Sequence, residues 1–73
     1  MSGLNDRFKC VVRQLREARG WSQERLAEKA DLDRSYVGEI ERGLANPSLL
    51  TADKLARALE VDLSALVARC EHG

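Results

Sequence analysis

No run of apolar residues approaches the roughly 18 that a membrane-crossing helix requires, and Met1-Ser2-Gly3 lacks the basic segment and apolar core of a secretion signal. These two absences predict a cytoplasmic protein with no membrane partner. Residues suited to metal or redox chemistry are equally scarce: Cys10 and Cys70 stand near opposite ends without ligand spacing, and His72, the one histidine, adjoins the C-terminus. In a reducing compartment both cysteines are expected as free thiols. There is no nucleophile with a nearby base, no glycine-rich phosphate loop and no cluster of metal ligands, so neither an enzyme nor a cofactor is expected. Net charge is also missing, with 12 Lys and Arg balancing 12 Asp and Glu, which argues against a grip on nucleic acid by overall charge alone.

With one proline, five glycines, 44% apolar and 33% charged residues, the chain has the composition of a helix-rich folded domain. Residues 1–73 are read as a single domain. A chain of this size buries only about 60% of its unfolded surface, so a second copy is a natural source of further burial. The charges that balance overall are locally polarised. Arg7, Lys9, Arg13, Arg16 and Arg19 face only Glu17 in the first segment, and they are either a phosphate-contacting edge or an ordinary solvated face.

The most informative stretch runs from Ser22 to Gly43. Ser22 is an N-cap for a first short helix with Leu26, Ala27 and Ala30 on one face; Asp31-Leu32-Asp33 interrupts it, and Asp33 caps a second. In that second helix Val37 and Ile40 share the inner face, with Tyr36 and Glu41 at its margins. Arg34, Ser35, Gly38, Glu39 and Arg42 are then expected to point away, before Gly43 ends the helix. Two short helices joined by a tight corner, the second anchored by few apolar residues, describe a helix-turn-helix.

Around this unit Leu4, Phe8, Val11, Val12 and Leu15 mark a first helical stripe, with Cys10 off it and Gly20 stopping it. Trp21 is placed to staple the next helix. Ser48 caps a further helix whose core stripe is Leu49, Ala52, Leu55, Ala56 and Leu59, and Leu63, Leu66 and Val67 form the apolar side of a last one. Five helices result, at about 5–19, 22–30, 33–42, 48–59 and 62–70, with Met1 to Leu4 as a frayed start and no strand pattern. The fold class is all-α.

The combination S-Q-x-x-L-A, Y-V-x-x-I-E-R-G and N-P-S-L, within WSQERLAEKADLDRSYVGEIERGLANPSLLTADKLARALEV, resembles the helix-turn-helix domain of phage repressors, Cro proteins and their bacterial relatives. The likeness covers roughly Phe8 to Val67, and LDRSYVG is most similar to the controller proteins of restriction-modification systems. The resemblance implies a lambda-repressor-like five-helix domain with the helix-turn-helix at helices 2 and 3, regulating transcription as a homodimer on a pseudo-palindromic duplex operator. It also implies that Arg34, Ser35 and Glu39 read base edges and that Gln23, Arg42 and Asn46 contact the DNA backbone. For Arg34 the chemistry agrees, since a guanidinium can bond guanine O6 and N7 together. Glu39 either accepts from a cytosine amino group or simply pairs with Arg42.

The family's ion pair between the first and third helices falls here on Arg16 and Glu41, and its usual corner glycine is replaced by Asp31. Leu63, Leu66 and Val67 are the expected dimer interface, and no small-molecule effector is expected. The other reading is a protein-interaction subunit, such as an antitoxin or anti-repressor, favoured by the zero net charge and by Asp33 and Glu39 near the reading face.

Overall fold

The computed structural model describes residues 3–72, apart from the side chains of Leu4, Asn5 and His72. Its elements are α1 (Leu4–Ala18), α2 (Gln23–Ala30), α3 (Arg34–Glu41), α4 (Leu49–Ala58) and α5 (Leu63–His72), with no strand among the described residues. This is the all-α, five-helix architecture that the sequence periodicity predicts. Three helices start on a side-chain cap. Ser22 Oγ accepts the Arg25 N–H at 3.0 Å, Asp33 Oδ1 the Ser35 N–H at 3.0 Å, and Ser48 Oγ the Thr51 N–H at 3.1 Å. Each supplies an acceptor to a backbone donor that the helix itself leaves unpaired.

Four helices stop in one way. Gly20, Asp31, Gly43 and Glu60 all have positive φ, at 70°, 57°, 76° and 60°. Behind each, the next backbone N–H reaches back five residues: Trp21 to Arg16, Leu32 to Ala27, Leu44 to Glu39 and Val61 to Ala56, at 2.8–3.1 Å. This left-handed termination satisfies carbonyls at the helix end, and glycine adopts it most readily. Sequence shows it at the two glycines and, through the family departure, at Asp31. At Glu60 the signal is absent, because the corner is held by a distant residue: Arg19 donates to the Glu60 carboxylate at 2.9 Å and to the Leu59 carbonyl.

The core is formed by Phe8, Val11 and Val12 of α1, Leu26, Ala27 and Ala30 of α2, Val37 and Ile40 of α3, Ala52, Leu55 and Ala56 of α4 with Leu59 beyond it, and Leu66 and Cys70 of α5. α2 packs on α3 and α4, while α1 packs on α3 and α5. Two expectations of burial are corrected. Leu49, assigned to the core stripe of α4, is 76% exposed, because burial on that helix begins only at Thr51 and Ala52. Leu66, assigned to a dimer face, is fully buried within the protomer, because the Leu66/Cys70 edge of α5 belongs to its own core. Leu63 and Val67 flank that edge and remain partly exposed. α5 also runs to His72 rather than stopping near Cys70, and Arg7 donates to the Glu71 carbonyl at 2.9 Å, tying α1 to its last turn. Of the expected frayed start, Gly3 caps α1 and Leu4 is its first residue, whereas Met1 and Ser2 lie outside the described residues.

At the corner of the helix-turn-helix, Asp31 is exposed and left-handed. Asp31→Gly should therefore raise stability by a few tenths to about 1 kcal/mol by relieving the Cβ, read as a higher urea midpoint at unchanged m-value. An unchanged or lower midpoint would mean that the carboxylate contributes as much as the strain removes.

Candidate functional site

α1, α2 and α3 meet at a buried polar junction. Arg16 Nε donates to Glu41 Oε2 at 2.8 Å and Nη2 donates to Oε1 at 2.9 Å, a bidentate pair whose side chains are only 11% and 3% exposed. The third guanidinium nitrogen, Nη1, donates to the Trp21 carbonyl at 2.7 Å, and Gln23 Nε2 donates to Glu41 Oε1 at 3.2 Å. The hydrogen bond to Glu41 raises the Arg16 pKa above its ordinary value despite desolvation, so the guanidinium stays charged. The Trp21 ring is half-buried against the core, with the Arg19 guanidinium carbon 5.3 Å and the Lys29 ammonium 5.9 Å from its centre.

Outside this junction lies a concavity of about 400 Å³ lined by Gln23, Asp33, Arg34, Ser35, Gly38 and Arg42. Gln23 begins α2, Arg34 and Ser35 begin α3, and Arg42 is the residue that ends it. Gly38, expected to point outward, does lie on this face but is buried there beneath the Arg42 and Gln23 side chains. A Cβ built there would lie 3.1 Å from Arg42 Nη1 and 3.4 Å from Gln23 Oε1. The missing side chain thus lets two hydrogen-bonding groups converge over the middle of α3. Arg34 Nη1 stands 3.7 Å from Glu24 Oε2, with both side chains largely exposed, so the contact is worth under about 1 kcal/mol and leaves the fork displaceable. Ser35 Oγ donates to Asp33 Oδ1 at 2.9 Å, the same oxygen that accepts the Ser35 N–H. Those two bonds, the hydroxyl one first, lower the Asp33 pKa below the ordinary carboxylate value.

Glu39 and Asn46, also singled out from the sequence, are exposed but do not line this concavity. Asn46 borders a different recess with Asp6, Gly43 and Pro47. The alternative pairing of Glu39 with Arg42 is not formed among the described residues, where Arg42 lies over Gly38. The basic first segment is engaged within the molecule. Lys9 pairs with Asp6 at 3.6 Å, Arg13 with Glu17 at 3.3 Å, Arg16 with Glu41, Arg19 with Glu60, and Arg7 with the end of α5. Sequence reading missed Glu24, whose contact with Arg34 crosses the corner between α2 and α3, and missed the Gln23–Glu41 bond. No local spacing signals either.

The profile of the helix-turn-helix family matches residues 12–66. The immunity repressor protein of Bacillus phage phi105 is 46% identical over 56 residues, which is 77% of this chain and 39% of the repressor, so the chain spans well under half of that relative. Among solved structures, the restriction-modification controller protein C.AhdI from Aeromonas hydrophila superposes with a TM-score of 0.81 at 48% identity, covering 85% of this chain and 94% of that one. The controller protein C.Esp1396I, as a tetramer in complex with its natural 35 base-pair operator, superposes with a TM-score of 0.83 at 29% identity, covering 97% and 99%.

Removing one member of the buried pair leaves the other charged without its partner. Glu41→Ala should lower unfolding stability by about 3 to 5 kcal/mol, measured by urea denaturation followed by circular dichroism. A loss below about 1 kcal/mol would mean that the pair behaves as a solvent-exposed one.

Proposed function

The chain belongs to the helix-turn-helix family, and from that premise we propose that it is a sequence-specific regulator of transcription that reads duplex DNA in the major groove. The carrying observation is the convergence of Gln23, Arg34, Ser35 and Arg42 on one concave face at the α2–α3 junction. In this reading Arg34 and Ser35, at the N-terminal end of α3, meet base edges. Gln23 and Arg42 meet phosphates, with Gln23 aligned by its bond to Glu41. Asn46 is a further backbone contact beyond the end of α3, and Glu39 a secondary base contact limited to a cytosine amino group. The likeness to an operator-bound controller protein supports the same reading, as does the family of regulators, rather than enzymes, to which the chain is similar. Such a protein acts in the cytoplasm.

A protein-interaction module is the second reading, and the exposed acids Glu24, Asp33 and Glu39 around the face favour it. Gel-shift titration against genomic fragments at two salt concentrations separates the two, since an interaction module gives no sequence-selective complex.

The two arginines should fail differently. Arg34→Ala should cost about 1 to 3 kcal/mol on the preferred site and relax selectivity at one base pair of each half-site. Arg42→Ala should weaken all duplexes alike and reduce the salt slope by about one unit. Both are measured against matched and singly substituted duplexes across a salt series. An equal loss on every duplex for Arg34→Ala would remove it from the reading role.

A homodimer completes the proposal. Leu63 and Val67 line a groove of about 180 Å³ with Phe8, Pro47 and Leu49, and Leu49, Leu50 and Leu44 are 76%, 67% and 72% exposed. This much uncovered leucine on so small a domain is suited to a two-fold mate, which would set two copies of α3 about one helical turn apart on DNA. Sedimentation at micromolar concentration should give a dimer for the wild type and a monomer for Val67→Glu. A monomeric wild type would overturn the assembly.

A further inference from the structure

We propose that Asp33 determines specificity, by committing the Ser35 hydroxyl to act only as an acceptor toward DNA, so that Ser35 selects an amino base, adenine or cytosine, over a keto base. The inference rests on the major-groove reading proposed above and adds to it what one position reads.

A serine hydroxyl has one proton and two lone pairs, and in general it bonds either class of base edge. Here that freedom is removed. The hydroxyl proton is directed to Asp33 Oδ1 at 2.9 Å, and an ionised carboxylate can only accept, so the direction of this bond is chemically fixed. The carboxylate is itself anchored, because the same oxygen caps α3 by accepting the Ser35 N–H at 3.0 Å. Its pKa lies below the ordinary carboxylate value, so it is charged throughout the neutral range. What Ser35 presents to the concavity is a pair of lone pairs.

In the major groove, adenine N6 and cytosine N4 offer donors where guanine O6 and thymine O4 offer acceptors. Ser35 can therefore accept from the first pair. To donate to the second it must give up a charge-assisted bond, stronger than the neutral one it would gain. Beside it, Arg34 presents only donors. The first turn of α3 thus displays a donor fork and an acceptor side by side, suited to a guanine and an amino base.

The test is selection from a random duplex pool, followed by titration of singly substituted duplexes with the wild type, Ser35→Ala and Asp33→Gly. Glycine is chosen because it remains an adequate N-cap while lacking the acceptor, and circular dichroism reports whether the variant is folded. The wild type should prefer adenine or cytosine at one position per half-site by roughly three- to tenfold, the size of one net hydrogen bond. Both variants should lose that preference while keeping the one at the Arg34 position. Replacing the selected adenine with purine, or the selected cytosine with 2-pyrimidinone, deletes only the amino group, and should weaken the wild type by the same factor and leave Ser35→Ala unaffected.

A folded Asp33→Gly that retains the preference overturns the proposal, as does a keto base at the Ser35-dependent position. Wild-type indifference to the deleted amino group overturns it without any need for the Asp33 variant. A wild type with no selectivity at any position would instead defeat the DNA-reading function itself, whereas selectivity that ignores Ser35 defeats only this inference.

Discussion

The junction of Arg16 with Glu41 is the constraint on which the rest of the molecule depends. A guanidinium and a carboxylate taken out of water are tolerated only when nearly every donor and acceptor they carry is matched. Here the match is made by three different segments: α1 gives the arginine, α3 the glutamate, and the entry to α2 the Trp21 carbonyl of the preceding turn and the Gln23 amide of its first residue. Shape alone holds apolar helices in place with some freedom to slide, whereas a forked ion pair fixes both distance and rotation. The pair fixes α3 against α1, and the Gln23–Glu41 bond ties the start of α2, which packs directly on α3, to the same carboxylate.

Function on the outside is thereby coupled to chemistry on the inside. Gln23 is at once a partner of the buried carboxylate and a wall of the exposed concavity. Gly38 shows the same economy of space, since its bare Cα is what lets Arg42 and Gln23 lie across α3. Outside that concavity the exposed leucines and the partly exposed edge of α5 leave apolar surface uncovered.

Most of the helical architecture was legible in the sequence because its signals are local. Ser22, Asp33 and Ser48 announce helix starts, and Gly20 and Gly43 announce stops, within a turn of the positions where the structure has them. The features that escaped are those set by a distant neighbour. Spacing places Leu49 on the same stripe as Ala52 and Leu55, but no spacing says where the packing partner ends. Leu63, Leu66 and Val67 read as one apolar face, yet the core takes Leu66 completely and its neighbours only in part. Glu60 looks unsuited to a left-handed corner until Arg19, far along the chain, is seen to hold it. At the candidate site, residue types pointed to Arg34 and Ser35 and the capping pattern to Asp33 beside them, while Glu24 contacts Arg34 across the corner through geometry that no motif records.

The engagement of the α1 cations by partners inside the molecule has a consequence for copy number in the cell. A regulator must find a few operators among the roughly 10⁶ or more competing positions of a genome, and each free lysine or arginine on its surface strengthens attachment to all of them through counterion release. With Arg7, Lys9, Arg13, Arg16 and Arg19 each beside an internal acceptor, and a formal net charge of zero, that indiscriminate attraction is reduced. On the proposed DNA-reading function, fewer molecules would then be held by bulk chromosome, and site occupancy would follow protein concentration more closely.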